Sequence, residues 1–101
     1  MLLSVPEQRL VAQKANWYFD VYFGQNTGDS VVFCGDGVDD LDRMIATIAN
    51  GTNRGGKMTC DLGTDYSNYK RCDLEDAQAI RALFVGWYGT VSKPNAYVPR
   101  R

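Results

Sequence analysis

The chain has 101 residues, 45% of them apolar and 12% aromatic, enough to bury one core and of the usual size for one domain. Eleven basic residues against twelve acidic ones leave a net charge of −1, which argues against a general nucleic-acid binder with its basic surplus. No histidine is present, so the commonest general base and the commonest neutral metal ligand are both missing.

Ser4 to Phe23 reads as one long helix. Ser4 and Glu7 form a Ser-x-x-Glu capping box and Pro6 suits the first turn. Arg9, Gln13, Asn16 and Asp20 fall on one polar stripe, opposite a broad arc of Leu10, Val11, Lys14, Trp17, Tyr18, Val21 and Tyr22, with Phe19 and Phe23 off its centre. The competing reading makes Trp17 to Phe23, WYFDVYF, a strand rich in strand formers. Its polar residues do not alternate cleanly, so helix is the expectation. A polar turn, Gln25 to Ser30, follows.

Val31 to Asn50, VVFCGDGVDDLDRMIATIAN, reads as strand, acidic turn and amphipathic helix. Val31, Val32 and Phe33 suit a half-buried strand. Asp36, Asp39 and Asp40 can accept the free N–H groups of a helix start. Leu41, Met44, Ile45 and Ile48 recur on one helical face, and Gly51 stands where a left-handed C′ residue is wanted.

The segment GDGVDDLDRMI resembles the last acidic motif of the haloacid dehalogenase superfamily, a Gly-Asp-x-x-(Asn/Asp)-Asp loop running from a strand into a helix. The resemblance implies that Asp36 and Asp40 hold Mg²⁺ near a phosphate, for which carboxylate oxygens are suitable hard ligands. It also implies a large parallel sheet, a nucleophilic Asp in an upstream Asp-x-Asp, and a separate lysine motif. No Asp-x-Asp precedes residue 31.

Gly51 to Lys57, GTNRGGK, is a near miss to the phosphate-binding P-loop, with Met58 where Ser or Thr should ligate Mg²⁺. The better account is a glycine loop joining a helix to a strand, with Arg54 and Lys57 in solvent. Lys57 to Leu62 alternates with period two and is expected to pair antiparallel with Val31–Cys34. Gly63 to Cys72 reads as a polar loop bearing Tyr66, Tyr69, Lys70 and Arg71, residue types common among binding anchors. Asp73 to Tyr88 is the last helix, capped by Asp73, apolar at Leu74, Ala77, Ile80, Phe84, Trp87 and Tyr88, and ended by Gly89. Residues 92–101 form a Pro-containing tail.

Cys34, Cys60 and Cys72 are odd in number and lack C-x₂-C spacing, so they read as reduced thiols of a cytoplasmic protein, with Cys34 a buried structural cysteine. The N-terminus has no signal-peptide pattern and no apolar run is long enough to span a membrane.

The expected fold is α+β: one small domain over 1–101, about three helices packed on a short two- or three-stranded antiparallel sheet, with Trp17, Phe33 and Trp87 central. The expected function is a non-enzymatic protein-binding module with no cofactor. In kind it is like the small inhibitors encoded by phage and mobile elements, the anti-CRISPR type among them. Its partner would be a larger, basic protein, met through the acidic cluster Asp36, Asp39, Asp40 and Asp42 with Tyr66 and Tyr69 nearby. Two alternatives stand beside it. One is a Mg²⁺-dependent phosphoryl-transfer domain or its relic on Asp36 and Asp40. The other is a homo-oligomer subunit joined through Phe19, Phe23, Trp87 or Tyr88.

Overall fold

The computed structural model describes residues 1–13, 17–23, 30–35, 37–51, 56–62 and 68–89, the side chains of 17, 30 and 35 excepted. In chain order the elements are α1 (Val5–Gln13), β1 (Trp17–Phe23), β2 (Ser30–Gly35), α2 (Val38–Gly51), β3 (Gly56–Asp61), β4 (Tyr69–Cys72) and α3 (Leu74–Tyr88). The strands form one sheet in the order β2-β1-β3-β4, every neighbouring pair antiparallel. The class is α+β, as the sequence leads one to expect, with four strands instead of two or three.

The first correction concerns Ser4 to Phe23. The helix stops at Gln13, and Trp17–Phe23 is a central strand. The physical reason lies in tyrosine. Phe19 and Val21 are fully buried and Phe23 half-buried on one face of β1, while Tyr18, Asp20 and Tyr22 stand half-exposed on the other. The period of two is there, but two of the three outward residues carry aromatic rings and read as apolar in a binary pattern.

Two further corrections follow from the sheet. β3 does not pair with β2; both pair with β1, which lies between them. The expected loop from Gly63 to Cys72 ends early, because Tyr69–Cys72 is the edge strand β4. Leu62 N–H donates to the Asn68 carbonyl at 2.8 Å and closes that hairpin.

One face of the sheet is covered by helices. Phe19, Val21, Met58, Cys60 and Cys72 point to it and are buried. Against them lie Leu41, Met44 and Ile48 of α2 and Ala77, Ile80, Phe84 and Tyr88 of α3, with Val11 and Ala12 of α1. Each fully buried aliphatic or aromatic side chain here contributes roughly 1.5–3 kcal/mol. Phe33 and Trp87, expected at the centre, are half-buried at its margin. The Trp87 ring instead receives the Arg9 guanidinium at 5.7 Å, tying α1 to α3.

The helix ends show why these segments start and stop where they do. Ser4 N–H donates to Glu7 Oε1 at 2.7 Å and Glu7 N–H to Ser4 Oγ at 3.2 Å, the expected capping box. Asp73 and Asp76 form a second box at α3. Gly89 has φ +75°, a region side chains avoid, and ends α3 as expected. Gly51 belongs to the last turn of α2, and its role differs from the expected C′ residue: a Cβ there would overlap the Phe23 ring. No helix among the described residues is long and apolar enough to cross a membrane.

Candidate functional site

The first candidate surface is the start of α2. Asp39 is exposed there, and Asp40 and Asp42 flank Leu41, whose burial sets the helix rotation. Asp40 accepts from the Arg43 guanidinium one turn on. Asp42 accepts from the Arg81 guanidinium of α3. Two of the carboxylates expected to present a negative face therefore each carry a cation of their own chain, and the field they project outward is reduced. Asp36 and Tyr66 lie outside the described residues. Among the described residues no group of three or more Cys, Asp or Glu is placed to hold a metal ion.

The haloacid dehalogenase resemblance implies a parallel sheet. β2 does precede α2 in the chain, but the sheet around it is antiparallel throughout. The likeness is confined to the sequence motif.

Tyr69 does not join the aspartates. β1 and β3 separate β4 from β2, and Tyr69 points to the face of the sheet opposite α2. That face is the second candidate surface. No described helix covers it. The register lays its side chains out in rows. Cys34, Tyr18, Asp61 and Tyr69 form one row across all four strands, and Val32, Asp20, Thr59 and Arg71 form the next. Tyr22 and Lys57 begin a third.

The two rows differ in chemistry. The rings of Tyr18 and Tyr69 meet edge to face, centroids 5.7 Å apart, across the intervening strand. Asp61 beneath them is fully buried, and its Oδ1 accepts the Asn68 N–H at 3.2 Å. Tyr69 keeps 46% of its surface exposed. In the next row the buried Oδ1 of Asp20 has no hydrogen-bond partner among the described residues. An acceptor left so is costly unless a donor reaches it. Arg71 and Lys57 are exposed at the margin. Cys34 lies in this surface too and is exposed, contrary to its expected burial, because it stands on an edge strand and on the face that no described helix covers.

No known family model, curated protein or solved structure matches this chain.

The uncovered face therefore stands on its own geometry. Tyr18, Asp20 and Tyr22 escape notice as site residues when 17–23 is read as helix, and Arg71 is seen only as a loop residue when 69–72 is read as loop. Their spacing of two, Tyr18-Asp20-Tyr22, is the signal that finds them. The four aromatic residues proposed for self-association belong to the fold. Phe19 and Tyr88 are buried, Phe23 lies against Gly51, and Trp87 sits under Arg9.

Proposed function

We propose that this chain is a non-enzymatic protein-binding module that receives a basic partner on the sheet face that no described helix covers. The observation that carries the reading is the Tyr18–Tyr69 ring pair, with the half-exposed Asp20 in the next row of the same face. Tyrosines supply large contact area at low entropic cost. Their ring faces attract a guanidinium or ammonium, and Asp20 offers that cation a charged hydrogen bond. Asp39, Asp40 and Asp42 lie on the other side of the sheet, so in this reading they act at longer range, through steering. The domain acts by occupancy, blocking or adapting the larger protein. Unbridged Cys34, Cys60 and Cys72 suit a reducing cytoplasm.

The test is capture of the partner from the native host by the immobilised domain, followed by affinity measurement on variants. Tyr69→Ala and Asp20→Ala should each weaken binding about thirtyfold, the effect of losing an interface anchor. Asp39→Ala should leave the dissociation constant within about threefold and lower only the association rate. The opposite pattern, with Asp39→Ala disabling and Tyr69→Ala silent, would move the site to α2 and refute the proposal.

A further inference from the structure

The two edges of the sheet are built differently. β4, at one end, reads Tyr69-Lys70-Arg71-Cys72 and carries two cations, the usual protection against edge-to-edge pairing. β2, at the other end, reads SVVFCG and carries no charge and no proline. Val31 is 44% exposed on the helix side of β2, and Val32 is 47% exposed on the uncovered side, where Cys34 is also exposed. Among the described residues no strand lies beyond β2. Its outward N–H and C=O groups alternate along the edge, so about half of its six residues present an unfilled ladder.

We propose that β2 pairs antiparallel with β2 of a second copy of this chain, joining the two sheets into one of eight strands. Away from water, a ladder edge is best satisfied by another extended backbone. The choice of a second copy rests on self-complementarity. A two-fold axis normal to the sheet pairs residues of like face and so passes at a residue, and the two central positions of β2 are Val32 and Phe33. With Val32 there, Val31 faces Phe33 of the second copy. With Phe33 there, Val32 faces Cys34 of the second copy and Val31 faces Gly35. Both registers cover apolar side chains with apolar side chains on both faces and bring no like charges together. The uncovered faces of the two copies then run into one continuous surface. The pairing does not depend on the partner-binding reading.

Sedimentation of the full chain over about a hundredfold range of concentration tests this, because self-association follows mass action. The expected result is a shift from one to two protomer masses, with β2 amide protons gaining protection from exchange in the same range. Val32→Lys places a charge on the edge at an exposed position and should stay folded by circular dichroism while weakening the dimer at least about tenfold. Val31→Lys, on the other face, should do the same, and serves if the first variant does not fold. A wild-type chain that remains monomeric throughout overturns the proposal and leaves the edge for a strand of another protein. A dimer that both lysine variants retain, or one whose β2 amides stay unprotected, overturns it as well.

Discussion

Asp76→Ala is expected to be among the most damaging single changes to this fold. Asp76 is fully buried in the first turn of α3, and its carboxylate gathers donors from distant parts of the chain. Oδ2 accepts Leu2 N–H at 2.8 Å, Leu3 N–H at 3.2 Å and Asp73 N–H at 3.1 Å. Oδ1 accepts Gln8 Nε2 at 2.9 Å. Truncation to alanine strands all four donors. Leu2 is half-exposed and can turn to water, but Leu3 and Gln8 are buried at 2% and 4% exposure. A buried donor left without an acceptor costs about 1–3 kcal/mol, and losing half a capping box costs about 1 kcal/mol more. The sum is about 3–7 kcal/mol, a large share of the roughly 5–15 kcal/mol by which a domain of this size is stable. Urea unfolding followed by circular dichroism should show the midpoint falling with an unchanged slope. Asp76→Asn should lose nearly as much, since its amide NH₂ would point donors at donors. A loss below about 1 kcal/mol in Asp76→Ala would refute the reasoning, because water would then be serving those groups as well as the carboxylate does.

Gly51→Ala sets two effects against each other. Alanine favours helix by about 1 kcal/mol, but its Cβ overlaps the Phe23 ring, and overpacking of this kind costs about 1–3 kcal/mol. The clash should win and lower the melting temperature; a rise would show that the ring moves freely. The Glu7 carboxyl is lowered from 4.5 to about 2, first by the hydrogen bond from Lys70 Nζ and then by Ser4 N–H. Its folded value lies below its unfolded one, so the stabilisation is present above about pH 4.5 and is lost as pH falls toward 2. Lys70→Met should flatten that part of the urea-midpoint profile, and an unchanged profile would refute the pairing. Iodoacetamide should label Cys34 alone in the native protein, read by mass spectrometry. Cys60 and Cys72 are buried, and the Cys72 thiol is pushed up by its contact with Cys60 and by desolvation. Equal labelling of all three without denaturant would contradict the described core.

α2 and α3 were legible because each shows an apolar face, and α3 a clear cap as well. Leu41, Met44 and Ile48 recur on a single face, and Asp73 with Asp76 marks the start of α3. Strand β1 was not legible in the same way. Its outward tyrosines resemble core residues until the neighbouring strands show which face is covered. β4 was hidden because Lys70 and Arg71, natural on an edge, look like loop residues in isolation. The acidic turn was visible as chemistry, but its arginine partners were only half so. Arg43 lies one helical turn from Asp40, whereas Arg81 reaches Asp42 from a different helix. The proposed site depends on the order of four strands, and short-range patterns do not carry that order.

The clasp between the first residues and α3 also orders events during synthesis. Leu2 and Leu3 leave the ribosome more than seventy residues ahead of Asp76. Leu2 and Leu3 therefore lack the Asp76 carboxylate that holds them until α3 has emerged, and a polypeptide stalled short of α3 would keep that segment loose for chaperones or proteases to grip.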